Sequence, residues 1–234
     1  MKLSIAAGLL AGAFFVAAGT GISSDEATPP IPVLVELFTS EGCSSCPPAD
    51  ALLERLDREQ PVPGALLVVL SEHVDYWNEL GWKDPFSQPF FSERQQRYAT
   101  RLETRGPYTP QMVVDGRIEF VGSDAREVQK AARSALAQSK VGLKFDSYQI
   151  ENGVIRARLQ TGNLSPAPAD RKAELMVLLA RNRAASSVTR GENEGRYLPH
   201  VATCEAAAPW FRARPCSQER VELDPRSRFA QITR

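Results

Sequence analysis

Two cysteines separated by two residues, Cys43 and Cys46, stand where an apolar strand ends and a helix begins. The apolar run 33–38 predicts the strand, and residues 49–57 predict the helix. Two thiols at this spacing can close a small disulfide ring, and a helix start beside them stabilises a thiolate, the form that attacks other disulfides. The pattern therefore favours thiol–disulfide chemistry.

The segments around this dithiol indicate an α/β unit. A continuous apolar run at 65–71 predicts a second strand, buried on both faces and parallel to the first. A polar helix is expected over 92–102. Asp115-Gly116 then separates two short apolar runs, which is a strong hairpin signal, and Ser123 is expected to cap a helix that ends near residue 138.

The N-terminus predicts an export signal. Lys2 is followed by an apolar run at 5–18 that ends in small residues, which is typical of a signal peptide over residues 1–18. The alternative is an uncleaved anchor, although the run is shorter than the roughly 20 residues that a membrane span needs. We therefore expect a periplasmic or secreted protein with no stable membrane span after cleavage, and a flexible linker over residues 19–31.

The charge of the chain bears on its partners, and its length bears on the number of domains. The chain has 28 basic and 28 acidic residues and no basic cluster, which argues against nucleic acid as a partner. A length of 234 residues suits two domains. We expect an α/β domain over 32–139, followed by a mainly antiparallel, sandwich-like β domain over 140–234, where short strand patterns replace helices. No cofactor is expected, and nothing predicts an oligomeric state.

Several segments carry a resemblance to known proteins. The order strand, dithiol, helix, strand, helical insertion, Thr-Pro, hairpin, helix resembles the thioredoxin fold, which places a cis-proline facing the dithiol. More closely, the chain is similar to an uncharacterised family of secreted bacterial thioredoxin-like proteins, a domain of unknown function. The segments that carry this similarity are 38–50, 73–77, 81–85, 108–111, 190–193 and 195–196. It implies a thioredoxin-like fold for 32–139 and no established activity.

The two cysteines receive different roles in this interpretation. Cys43 is the candidate nucleophile, because the backbone amides of residues 44–46 can point at its sulfur. Cys46 is the candidate resolving thiol, which attacks the mixed disulfide, and the prolines that follow it are expected to push it out of the α region. The partner would be a protein thiol or disulfide, as substrate or redox partner. The alternative is a non-catalytic binding module in which the disulfide is inert and structural.

Glu36 and Pro110 complete the predicted catalytic set. Glu36 resembles the buried acid of thioredoxin and would accept the proton of Cys46, but an edge-strand glutamate in water is the alternative. Pro110 would shape the cleft if its peptide bond is cis, as the resemblance implies, whereas an isolated X–Pro bond is usually trans. Thr109, Tyr108 and Trp77 are the substrate-binding candidates.

The remaining candidates have competing interpretations. His73 could join Cys43 and Cys46 in a copper or zinc site of a metal-binding or metal-delivery protein, although a hydrogen-bonded structural histidine is the simpler interpretation. Cys204 and Cys216 are expected to form a structural disulfide. Residues 190–193 are either a hairpin turn or a recognition loop.

Overall fold

The computed structural model describes residues 29–151, 154–162, 174–207, 211–212, 218–224 and 229–233, so the predicted signal peptide at 1–18 and most of the linker at 19–31 lie outside the described residues. The described helices are Pro47–Glu59 (α1), Pro89–Arg101 (α2) and Ala125–Leu136 (α3). The described strands are Ile31–Thr39 (β1), Ala65–His73 (β2), Gln111–Val114 (β3), Ile118–Val121 (β4), Leu143–Glu151 (β5), Val154–Thr161 (β6), Glu174–Leu175 (β7), Leu178–Ser187 (β8), Tyr197–Ala207 (β9), Phe211–Arg212 (β10), Gln218–Asp224 (β11) and Phe229–Thr233 (β12).

A six-stranded mixed sheet with the order β4-β3-β1-β2-β9-β8 forms the centre of the molecule. β1 and β2 pair in parallel around α1, as the sequence predicts, and β3 pairs antiparallel with β1. The predicted hairpin joins β3 to β4, and its Asp115 and Gly116 both have positive φ, as a two-residue primed turn requires. The chain is thus a mixed α/β protein built on one main sheet.

The predicted boundary near residue 139 does not separate the sheets. β9 runs parallel to β2, with Ser71 opposite Thr203, and β8 pairs antiparallel with β9. Strands from the segment expected to form a separate sandwich-like domain therefore complete the first sheet, because β2 would otherwise end it with unpaired backbone groups. The other described strands of this segment form a four-stranded sheet, β12-β11-β6-β5, and a two-stranded sheet, β10-β7.

Alternation along β1 divides the core into two layers. Val33, Val35 and Leu37 face α1 and α3, whereas Phe38 packs with Tyr98 of α2 on the opposite face. Burial of each large apolar side chain contributes about 1.5–3 kcal/mol. The layer that contains Val33, Val35 and Leu37 therefore holds α1 against β1. β2 differs from its prediction, because its N-terminal half is covered on one face only and leaves Leu66 and Val68 exposed.

Both helix starts near the site differ from expectation in detail. Asp124, not Ser123, caps α3, and its Oδ1 accepts hydrogen bonds from the amides of Arg126 and Glu127. Cys46 is the N-cap of α1 and keeps helical angles (φ −78°, ψ −37°) despite the following proline. Two hydrogen bonds to the Cys46 carbonyl, from the amides of Ala49 and Asp50, hold this turn. In the described part of the chain, no helix is both long and apolar enough to cross a membrane.

Candidate functional site

Cys43 and Cys46 form a disulfide at the start of α1, with their Cα atoms 5.4 Å apart. Both cysteines are 0% exposed, whereas Ser44 and Ser45 between them are exposed. The Ser45 hydroxyl lies 3.4 Å from the Cys43 Sγ. Solvent therefore does not reach the two cysteines, although the two serines between them are exposed.

The backbone amides expected to stabilise a Cys43 thiolate are largely engaged elsewhere. The Cys46 amide donates to the Cys43 carbonyl at 3.2 Å, and the Ser44 amide donates to Glu192 Oε2 at 3.1 Å. In the disulfide form, two of the three amides therefore donate to acceptors other than the Cys43 sulfur. The helix start remains as a source of partial positive charge beside the sulfurs, because Cys46 occupies its N-cap.

The Thr109–Pro110 peptide bond is cis, and Pro110 lies beside the first turn of α1. Gly122 marks the place where they meet, because a Cβ at residue 122 would lie 3.1 Å from Pro110 Cβ and 3.3 Å from Ala49 Cβ. The Gly122 amide also donates to the Pro110 carbonyl at 2.9 Å. The structure therefore places Pro110 close to Ala49, which follows Cys46 by three residues in the first turn of α1.

The predicted substrate-binding residues lie around this proline. Trp77 donates from its indole nitrogen to Thr109 Oγ1 at 2.9 Å, and a Cβ at Gly42 would lie 3.0 Å from Trp77 Cβ. Trp77 thus bridges the dithiol loop and the cis-proline loop. The Tyr108 hydroxyl instead donates to Glu119 of β4, and burial and that carboxylate raise the pKa of Tyr108.

Glu36 lies on the face of β1 opposite α1, so the structure does not place it as the acid beside the dithiol. It is completely buried on an interior strand, which also excludes the edge-strand alternative. Its Oε1 accepts from Arg94 Nε at 2.8 Å, and its Oε2 accepts from the Tyr98 hydroxyl at 2.7 Å. Burial, followed by the charge of Glu36, raises the pKa of the neighbouring Glu72 well above its ordinary value. These residues form a buried charge cluster inside the α2 layer.

Glu41, two residues before Cys43, fixes the dithiol loop through contacts with four other segments. Its carboxylate accepts hydrogen bonds from Trp82 Nε1 at 2.8 Å and from the Ser186 hydroxyl. Its amide donates to Asp84 Oδ2 at 2.8 Å, and its carbonyl accepts from Asn193 Nδ2 at 2.9 Å. Glu41 is only 1% exposed, so its charge requires these partners.

His200 of β9 lies between Glu41 and Asp50. Its Nε2 is 3.1 Å from Glu41 Oε1, and its Nδ1 is 3.7 Å from Asp50 Oδ1. Burial alone would lower the pKa of His200, but interactions with Asp50 and then Glu41 outweigh it and raise the pKa to about 9. A protonated imidazole thus sits between two carboxylates. The other Asp50 oxygen accepts from Thr39 Oγ1 at 3.2 Å.

His73 belongs to the same buried layer and is tied to Asp84. Its Nδ1 lies 2.7 Å from Asp84 Oδ2, and its ring packs edge-on against His200 at 4.6 Å between centroids. Burial of Asp84 would raise its pKa, but the charge and hydrogen bond of His73 lower it. The structural interpretation of His73 fits these contacts. Within the described ranges, no three His, Cys, Asp or Glu side chains are arranged to hold a metal ion.

The loop between β8 and β9 covers the dithiol loop. Asn193, which is completely buried, donates from Nδ2 to the carbonyls of Glu41 and Cys43, both at 2.9 Å. The hydrogen bond from Ser44 lowers the pKa of the exposed Glu192. The segment predicted as a hairpin turn or recognition loop is therefore a strap that anchors the backbone on both sides of Cys43.

Of the two cysteines predicted to form a second disulfide, the structure describes Cys204. Cys204 is a free, buried thiol in β9, and burial, followed by the charge of Glu72, raises its pKa well above the ordinary value. Cys216 lies outside the described residues. Cys204 instead faces the charge cluster that contains Glu36 and Arg94.

Sequence reasoning missed Glu41, Asp50, His200 and Asn193. One signal was available, because Asp50 follows Cys46 by four residues and therefore shares its helix face. The other three come together only through the pairing of β9 with β2, a contact between distant parts of the chain that no local pattern predicts.

Comparison with known proteins gives a family and a structural relative. A family model described as "Protein of unknown function (DUF1223)" matches residues 34–231. The crystal structure of AGR_C_4864 from Agrobacterium tumefaciens is similar, with 27% identity, a TM-score of 0.63, and coverage of 86% of this chain and 82% of that one. HBP35 of Porphyromonas gingivalis matches with 15% identity and a TM-score of 0.46, over 83% of this chain and 69% of its own. No curated protein matches the chain.

Proposed function

Because the chain belongs to the DUF1223 family, whose description assigns no function, its activity has to be argued from the site, and we propose a thiol–disulfide oxidoreductase. Cys43 is the nucleophile and Cys46 the resolving thiol. The observation that carries the proposal is the position of the Cys43–Cys46 disulfide at a helix start, with Pro110 close to the same helix turn.

A thioredoxin-like arrangement of the first part of the chain supports this proposal. The dithiol lies between β1 and α1, β2 follows in parallel, and Pro110 directly precedes the β3–β4 hairpin. Thioredoxin-like proteins share this order. The six-stranded sheet extends it with β9 and β8; β9 supplies His200, and the loop between the two strands supplies Asn193.

The proposed reaction is a pair of thiol–disulfide exchanges. The Cys43 thiolate attacks a disulfide in a protein substrate, forms a mixed disulfide, and releases one substrate sulfur as thiolate. Cys46 loses its proton and attacks the Cys43 sulfur, which closes the Cys43–Cys46 bond and releases the second substrate thiolate. Two electrons pass from the dithiol to the substrate, and a thiol reductant restores the dithiol; the reverse sequence oxidises a substrate dithiol.

We place this activity in the periplasm or outside the cell. The support is the sequence of residues 1–18, with one basic residue before an apolar run that ends in small residues. A disulfide persists in such an oxidising compartment, whereas cytosolic reductants keep most thiols reduced.

The burial of both cysteines favours one second candidate function. A disulfide that solvent does not reach fits a binding module in which the Cys43–Cys46 bond only holds the loop under the strap. In that case the bond resists exchange. The catalytic proposal instead requires that the exposed Ser44–Ser45 segment moves aside, so that a substrate sulfur can reach Cys43.

A trapping experiment tests the proposal. A Cys46→Ser variant leaves Cys43 without its resolving partner, so incubation of the reduced variant with a disulfide-bonded protein such as insulin should accumulate a covalent complex. Mass spectrometry of the digested complex should locate the new bond on Cys43. The matched Cys43→Ser variant, whose remaining thiol is Cys46, should form little complex.

Two outcomes would contradict the proposal. Equal trapping by the two variants would remove the distinction between nucleophile and resolving thiol. No trapping by either, with a wild-type disulfide that resists dithiothreitol under native conditions, would support the binding module with a structural disulfide.

A further inference from the structure

Asp50 lies one helical turn after Cys46 on α1. It follows Cys46 by four residues on α1, and Cys46 already has helical backbone angles. Side chains four apart on a helix are neighbours, and Cα–Cβ bonds point towards the helix N-terminus, so the Asp50 carboxylate covers the turn that contains Cys46. Asp50 is also 8% exposed and therefore shielded from water.

One oxygen of this buried carboxylate has no hydrogen-bond partner. Asp50 Oδ2 accepts from Thr39, whereas Oδ1 accepts no hydrogen bond and lies 3.7 Å from His200 Nδ1. A buried acceptor of this kind is costly unless it gains a donor in another state of the protein. The disulfide has no S–H group, but reduction gives Cys46 a thiol proton one helical turn away. Reduction would therefore give this oxygen a second donor, the Cys46 thiol, in addition to His200 Nδ1 at 3.7 Å.

His200 determines which group of this cluster takes the proton. Because the pKa of His200 is raised to about 9, its ring is protonated near neutral pH and has no lone pair with which to accept. The carboxylates are the remaining acceptors, and Glu41 already accepts from Trp82, Ser186 and His200. Asp50 Oδ1 accepts no hydrogen bond within range and has His200 Nδ1 at 3.7 Å as its charged neighbour, so it is the carboxylate oxygen that can accept a further proton.

Charged and titratable groups on several neighbouring elements surround Asp50. The charged and titratable groups that face this cluster from the neighbouring elements are Cys46 and Glu54 on α1, His200 on β9, Arg183 on β8, Glu41 in the dithiol loop, His73 on β2 and Asp84 in the following loop. Glu54 is paired with Arg183 at 3.4 Å, and His73 is paired with Asp84. These pairings leave His200 as the charge that acts on Asp50 most directly.

We propose that Asp50 takes the proton of Cys46 when Cys46 attacks the mixed disulfide on Cys43, with His200 holding the carboxylate in place. This rests on the proposed oxidoreductase function and replaces Glu36 as the acid of the site. The proton moves from Cys46 Sγ to Asp50, the Cys46 thiolate bonds to Cys43 Sγ, and the bond between Cys43 and the substrate breaks. The substrate sulfur leaves with the electron pair, and Asp50 returns its proton to water.

A two-phase exchange experiment separates the steps. The reduced protein is mixed with 5,5′-dithiobis(2-nitrobenzoate) in a stopped-flow instrument, and each released thionitrobenzoate absorbs light. The first phase reports attack by Cys43, and the second reports resolution by Cys46. A Cys43→Ser/Cys46→Ser double variant supplies the background from Cys204 and Cys216.

Asp50→Asn should slow the second phase on the order of 10²-fold near pH 6, because the amide cannot accept the proton. The difference in second-phase rate between Asp50→Asn and wild type should disappear near about pH 9, where Cys46 ionises without a proton acceptor. The first phase should stay within about twofold of wild type, which also reports that the variant is folded. Asp50→Glu should recover part of the second-phase rate, and the matched Asp57→Asn variant, at an exposed position two turns along α1, should leave both phases unchanged.

The outcomes distinguish the inference from the function on which it rests. A first phase that is absent from the wild-type protein overturns the oxidoreductase proposal and the role of Asp50 with it. A normal first phase, with a second phase whose pH profile is the same in Asp50→Asn and wild type, overturns the role of Asp50 alone. Equal slowing of both phases at every pH would assign Asp50 a structural role only.

Discussion

At the scale of single residues, the dithiol loop depends on charges that are buried and matched. Glu41, His200 and Asp50 come from a loop, a strand and a helix, and each is at most 8% exposed. A protonated His200 beside two carboxylates lowers the cost of burying them, because an unpaired buried charge is destabilising. The folded state therefore binds a proton at His200 more tightly than the unfolded chain does.

This binding predicts how stability changes with pH. A rise in the pKa of His200 from 6.5 to about 9 corresponds to about 3 kcal/mol of stabilisation. Because the folded-state pKa is the higher one, the stabilisation is complete below pH 6.5 and is lost as the pH rises through about 9. In chemical denaturation, His200→Gln should be less stable than wild type by about this amount near pH 6, with a difference that shrinks towards about pH 9.5.

The control is Tyr197→Phe, at an exposed position on the same strand, which should keep the wild-type pH profile. A destabilisation by His200→Gln that stays constant over the whole pH range would show that the histidine is buried in its neutral form.

At the scale of secondary-structure elements, the site depends on the close approach of β1, α1 and the cis-proline loop. Gly122, which follows β4, is buried where they converge. A Cβ at this residue would lie 2.7 Å from Leu37 Cδ1, in addition to its close approach to Pro110 and Ala49. The packing leaves no room for a methyl group, so a glycine is needed for steric reasons.

Gly122→Ala should therefore lower the free energy of unfolding by about 1–3 kcal/mol through overpacking. Gly142→Ala is the matched control, because a Cβ there meets no atom within 4 Å, and it should change stability by less than about 0.5 kcal/mol. Equal effects of the two substitutions in urea denaturation would mean that β1, α1 and the Pro110 loop separate easily at this point.

In the molecule as a whole, the sequence pattern predicted those parts of the fold that form between segments close together in the chain. The β1–α1–β2 unit, the Asp115-Gly116 hairpin and the Cys43–Cys46 disulfide are features of neighbouring residues, and the structure contains each of them. The pairing of β9 with β2 was not predicted, because the paired residues are about 130 positions apart in the sequence. Neither segment alone contains a pattern that indicates its neighbour in the sheet. His200 and Asn193 were missed for the same reason. Alternation along β1 puts Glu36 and Phe38 on one face, but it does not say which face α1 covers.

The reduction potential of the Cys43–Cys46 pair tests the central claim most directly. The full chain is equilibrated in glutathione buffers of graded ratio, quenched with acid, and the two thiols are quantified by alkylation and mass spectrometry. A redox-active pair should reach equilibrium with a potential between about −270 and −120 mV, the range of dithiol oxidoreductases. A bond that stays oxidised in the most reducing buffer, with a potential below about −300 mV, would identify a structural disulfide and contradict the account.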